Sequence, residues 1–234
     1  MTAALAWGAL AASSLVIGSL LGLLRAWPSR AVGLVLALGA GALISAVSFD
    51  LAQEGARIGD PGYVAIGLAA GAIAYFVLAR LIARRHGGRS AGAGPALALG
   101  AFLDGIPEQI VLGIGIASGD GVSVGLLAAI FVSNLPEAIG SSTEMRAAGT
   151  PPAAIRRLWL LVALACVAAT VAGYAVADSV SGNINAAIDG FAAGALLVML
   201  IDSMIPEADR QGGDVSGLVT VLGFAVAAAL SSAG

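Results

Sequence analysis

The sequence predicts an all-α integral membrane protein: eight transmembrane helices with inverted repeats, helices 1–3 and 6–8 lying around central helices 4 and 5. Three observations carry this. Hydrophobic residues make up 59% of the chain and charged residues 11%, against roughly 45–50% and 25% in soluble domains. Eight apolar stretches follow one another across short gaps, each about 20 residues long and so able to cross a bilayer. Two segments, Phe102-Leu-Asp104-Gly105-Ile-Pro107-Glu108 and Phe131-Val-Ser133-Asn134-Leu-Pro136-Glu137, repeat each other at an offset of 29 residues.

The predicted spans are 3–24, 31–54, 62–83, 96–117, 121–145, 154–177, 184–207 and 215–233. No basic n-region precedes Thr2–Leu24 and Arg25 follows it, so this stretch reads as a first spanning helix rather than a cleaved leader. The gaps hold helix breakers, among them Trp27-Pro28-Ser29, Gly59-Asp60-Pro61-Gly62, Thr150-Pro151-Pro152 and Gly212-Gly213-Asp214. The longest connection, 84–94, is rich in Gly, Arg and Ser and reads as a short cytoplasmic loop within one domain covering 1–234. The single Cys166 excludes a disulfide framework. Nothing in the charge pattern suggests nucleic acid.

Arginine sets the expected orientation. Arg25, Arg30, Arg80, Arg84, Arg85, Arg89, Arg146, Arg156, Arg157 and Arg210 all fall at odd-numbered gaps, and only Arg57 at an even one. The positive-inside rule then puts both termini on the non-cytoplasmic side of a multi-pass protein of the cell (inner) membrane. A second internal similarity agrees. Residues 41–57 align without gaps to 194–210, matching Gly41/Gly194, Ala42/Ala195, Leu43/Leu196, Glu54/Glu207 and Arg57/Arg210. Matching segments on oppositely directed helices are the pattern of an inverted repeat, whose site lies near the midplane at the repeat interface.

Carboxylates beside prolines at membrane depth are costly in isolation, so their repetition points to a binding site. Asp104 and Glu108, four apart, share a face of helix 4; Ser133 and Glu137 share one on helix 5, with Asn134 beside them. Pro107 and Pro136 each free a backbone carbonyl about one turn earlier. Asp50 and Glu54 on helix 2, and Asp202 and Glu207 on helix 7, could add oxygens, although Asp50, Glu54 and Glu207 also suit the solvated ends of their helices. So many carboxylates cannot all be ionised together in low dielectric. A divalent cation or bound protons must compensate. Gly67/Gly71 and Gly190/Gly194 have small-xxx-small spacing and read as packing positions within the monomer, with a homodimer face as the other reading. Glu144 and Arg146 read as an ion pair at the interface.

Asp104-Gly-Ile-Pro-Glu108 and Ser133-Asn-Leu-Pro-Glu137 resemble the His-Asn-x-Pro-Glu-Gly motifs of the ZIP (Zrt/Irt-like) divalent-metal transporters, and Asp202-Ser-Met-Ile-Pro-Glu207 resembles the acidic end of a later helix in that family. The resemblance implies eight spans, a metal site shared by helices 4 and 5, and alternating access. The metal would be the transported substrate, of the Zn, Mn, Fe or Mg class, with no prosthetic group. The chain departs from the pattern in having Asp104 and Ser133 in place of His, Gly105 in place of the first Asn, and Gln109 and Ala138 in place of Gly; its one histidine, His86, falls in a loop. All-oxygen donors suit Mg, Mn, Fe(II) or Ca better than zinc. Two other functions fit these residues: a metal-binding sensor or scaffold that moves no ion, and an intramembrane metalloenzyme. The enzyme would need a metal-bound water and a general base at an open coordination position. No His-rich zinc motif is present, so an enzyme is not expected.

Overall fold

A computed structural model describes residues 1–86, 93–117, 124–177 and 182–233, and the side chains within them apart from 82–86, 93–104, 177 and 232–233. The described residues form eight helical rods: α1 (Thr2–Leu24), α2 (Ser29–Ile58), α3 (Pro61–His86), α4 (Ala93–Ala117), α5 (Val124–Ala147), α6 (Pro152–Ala177), α7 (Gly182–Gly212) and α8 (Ser216–Ala233). Among the described residues, six rods are long and apolar enough to cross a membrane; Gly105–Ala117 of α4 and Ser216–Ser231 of α8 are shorter apolar helices.

The breakers start and stop the rods as their chemistry requires. Asp60 caps α3 by accepting the Gly62 N–H at 2.7 Å, with Pro61 in the first turn where its missing N–H costs nothing. Gly213 ends α7 at φ +73°, a backbone region that favours glycine. The Trp27 indole donates to the Leu21 carbonyl at 3.0 Å, and the Arg146 guanidinium donates to that of Leu23, so both serve orphan carbonyls at the end of α1. Arg146 is thus turned to α1, which the expected pairing with Glu144 did not foresee.

Two features lie outside what periodicity can report. Helices α4 and α5 run unbroken through Pro107 and Pro136. Helices α2 and α7 each contain a π-helical stretch, Val47–Gln53 and Leu200–Met204. Both stretches begin at aligned positions of the internal similarity, 47 and 200.

Packing follows the small residues. Helix α1 lies on α5, α4 on α6, α2 on α8 and α3 on α7. An added Cβ would stand 1.8 Å from the Thr220 carbonyl at Gly41, 1.8 Å from that of Phe191 at Gly71, 2.0 Å from that of Leu68 at Gly194 and 2.0 Å from that of Thr170 at Gly113. Backbones therefore meet where only hydrogen fits, the way helices associate when lipid removes the hydrophobic drive between them. Gly67, Gly71, Gly190 and Gly194 accordingly pack within the monomer. The apolar core runs through α2, α5 and α7, including Leu43, Leu51, Ile130, Leu196 and Leu200. A second cluster joins α1, α5 and α6 around Leu15, Trp159 and Cys166. Ile66 and Ile73 on α3, Leu161 and Leu164 on α6 and Leu218 and Val221 on α8 point outward. An apolar exterior of this kind suits a lipid solvent.

Candidate functional site

The two Pro-Glu motifs come together because α4 and α5 pack side by side in the bundle. Glu108 is 1% exposed. Its Oε1 accepts the Ser133 hydroxyl at 3.3 Å and its Oε2 accepts the Asn134 amide at 3.2 Å. Ser133 and Asn134 are themselves buried, and Ser133 Oγ also lies 3.0 Å from the Ile130 carbonyl. Adjacent residues of α5 thus hold the two oxygens of one α4 carboxylate. Such charge-assisted bonds fix a carboxylate that burial would otherwise penalise.

A cavity of about 470 Å³ runs from this point between α5 and α7, with Val32 and Leu36 of α2 on its wall. It collects Glu108, Ser133, Glu137, Glu144, Asp202 and Glu207, together with Arg210. Five carboxylates thus face one guanidinium, and low-dielectric walls focus such a field on a cation. Exposure is graded along the cavity: Glu144 and Asp202 are exposed, Glu137 and Glu207 half-buried and Glu108 buried. The shallow end reaches the first turn of α2 and the last turns of α5 and α7.

Not every expected residue faces this space. Asp104 lies among the side chains outside the described set. Glu207 borders the cavity, yet its two oxygens are engaged: Oε2 accepts Arg210 Nε at 3.0 Å, and Oε1 accepts Arg210 Nη2 and Gln211 Nε2. Glu54, the aligned position on α2, is bound in the same way by Arg57, at 2.7 Å and 2.6 Å. Asp50 accepts the Ser231 hydroxyl of α8 at 2.7 Å. Asp50 and Glu54 do not line the cavity. Among the described residues no three His, Cys, Asp or Glu side chains gather closely enough to enclose a metal. Glu108 and Glu137 are the described motif carboxylates at the site, with Ser133 and Asn134 as neutral oxygen donors beside them.

Glu144 is a lining residue that sequence reasoning assigned to the interface. The signal was available: it stands seven residues after Glu137, two turns along the same face of α5. Buried Gln109, which follows Glu108, accepts the Thr170 hydroxyl of α6 at 2.5 Å.

No protein-family model matches this chain. A protein of Arabidopsis thaliana that carries the provisional name of a zinc transporter is 30% identical over 189 residues, which cover 76% of this chain. The chain spans about 30% of that relative's length, so the likeness concerns one region of a longer protein.

Proposed function

We propose that the chain is a ZIP-like transporter that carries divalent metal cations across a membrane by alternating access, through a carboxylate site on α4 and α5. The observation that carries this is the convergence of Glu108 and Glu137, one from each Pro-Glu motif, on a single cavity that runs to one end of the bundle. The zinc-transporter name of the Arabidopsis relative supports the same reading. In this reading Glu108 and Glu137 are the central ligands. Asp104, Ser133, Asn134 and Asp202 complete the shell, and Glu207 serves the cavity. Asp50 and Glu54 stand at the other end of the pathway.

The same reading takes all eight rods as spans of one domain, with an inverted repeat relating 1–3 to 6–8. Three observations support the repeat. The π stretches of α2 and α7 start in register. The pairs Glu54–Arg57 and Glu207–Arg210 recur in register. The packing of α2 on α8 mirrors that of α7 on α3, as that of α1 on α5 mirrors α6 on α4. With the arginines on the cytoplasmic side, the cavity faces the cytoplasm and both termini lie outside.

Uptake of radiolabelled manganese and zinc into proteoliposomes holding the purified chain tests the function. Uptake that exceeds empty liposomes and is lost in Glu108→Ala is the expected result. Metal binding with no uptake would overturn transport in favour of a sensor or scaffold.

A further inference from the structure

Among the described residues, two polar groups on α7 lack the partners that burial demands. Asp189 is 5% exposed, and no hydrogen bond or ion pair joins it to any described residue. One turn earlier, Oδ1 of Asn185 is buried with no hydrogen bond from any described residue. A buried carboxyl group without a partner is costly as an ion, and is stable only with a proton or a cation on it. Asp189 stands on the wall that α7 turns to α2: an added Cβ at Gly55 would lie 3.3 Å from the Asp189 Cβ, and Glu54 is within electrostatic reach of Asp189. Asn185, four residues earlier, shares its side of the helix.

Their positions in the internal repeat say what the wall is for. The alignment that pairs 41–57 with 194–210 extends without a gap along both helices. It pairs Asn185 with Val32 and Asp189 with Leu36. Val32 and Leu36 are the α2 residues that line the present cavity. The two unpartnered groups of α7 therefore occupy the repeat positions of the cavity wall, at the opposite end of the bundle.

We propose that Asp189 and Asn185, with Glu54 across from them on α2, form an entry subsite for a hydrated divalent cation in the state where the end of the bundle opposite the present cavity is open. This rests on the transport reading and its inverted repeat. Glu54 is held by Arg57 in the present state, so it joins Asp189 and the Asn185 amide oxygen only on turning from that guanidinium, and the three do not make a full coordination shell. They hold a cation that keeps most of its water, as oxygen sites for hard cations do. The repeat is broken in one direction only: Asp189 faces this end and Leu36 the other. The subsite thus raises cation affinity on one face of the membrane.

The test is the initial rate of manganese uptake into cells expressing the full chain, measured against external manganese, with empty-vector cells subtracted. Asp189→Asn, nearly isosteric, should raise the half-saturating concentration by about tenfold and leave the maximal rate within about twofold, the signature of lost binding rather than lost turnover. Asp189→Glu should recover most of the affinity, and Asn185→Ala should shift it in the same direction by a few-fold. An unchanged half-saturating concentration in Asp189→Asn, or a fall in maximal rate alone, overturns the subsite. If Asp189→Asn yields little folded protein, Asn185→Ala and Asp189→Glu decide by the same criterion. Wild-type uptake abolished by Glu108→Gln in the same cells isolates the subsite as the part that fails; no wild-type uptake would overturn the transport reading and the subsite with it.

Discussion

The Asn134 amide of α5 donates to Oε2 of Glu108 on α4 across 3.2 Å, so a residue of one Pro-Glu motif holds the carboxylate of the other. The motifs are one unit, and each depends on the other's geometry.

Removing the buried carboxylate should therefore remove the site. Glu108→Ala is expected to abolish metal binding and uptake, and Glu137→Ala to do the same. Asn134→Ala takes away a hydrogen bond to a charged group, worth about 1.5–3 kcal/mol, and should weaken binding by about tenfold or more. Calorimetric titration of the purified chain with manganese checks all three. Wild-type affinity in Glu108→Ala would overturn the assignment.

Donor chemistry should set the preference among metals. Asp104→His replaces a carboxylate with an imidazole, and the variant should gain zinc relative to manganese by about tenfold. Carboxylate ligands bind metal only when deprotonated, so protons compete and occupancy should fall as pH falls. A zinc–manganese competition series at two pH values reads both effects. An unchanged ratio in Asp104→His would mean that geometry rather than ligand type governs selectivity.

Glycine contacts should govern stability. Gly71→Ala puts a methyl 1.8 Å from the Phe191 carbonyl, which must move, and should cost about 1–3 kcal/mol. Gly115→Ala meets no described atom within 4 Å and should be neutral or stabilising by up to about 1 kcal/mol, since alanine suits a helix better. Thermal unfolding of the two variants in detergent should move in opposite directions.

Orientation is open to labelling. Fully buried Cys166 should stay silent toward a membrane-impermeant maleimide, so no background change is needed. Pro61→Cys, at the start of α3, should label from outside intact cells, and Ala148→Cys, after α5, only once they are permeabilised. The reverse pattern would invert the assigned orientation.

The sequence by itself determined the helical class, the eight apolar rods and their breaks. Those depend on local quantities: hydropathy summed over about 20 residues, and the turn chemistry of Pro, Gly and Asp. It also picked out Glu108 and Glu137, because a carboxylate beside proline in an apolar run is conspicuous without any neighbour. Tertiary structure decided which oxygens meet. Asp202 faces the cavity, whereas Asp50 finds Ser231 on a different helix. Glu144 lines the cavity while Arg146, two residues on, serves the end of α1. Nor could the π stretches of α2 and α7, or the lack of any hydrogen bond to Asp189 among the described residues, be read from periodicity. Helical spacing says which residues share a face. Which neighbour that face meets depends on how closely the backbones approach at glycines, and here those contacts join residues far apart in the chain, such as Gly41 and Thr220.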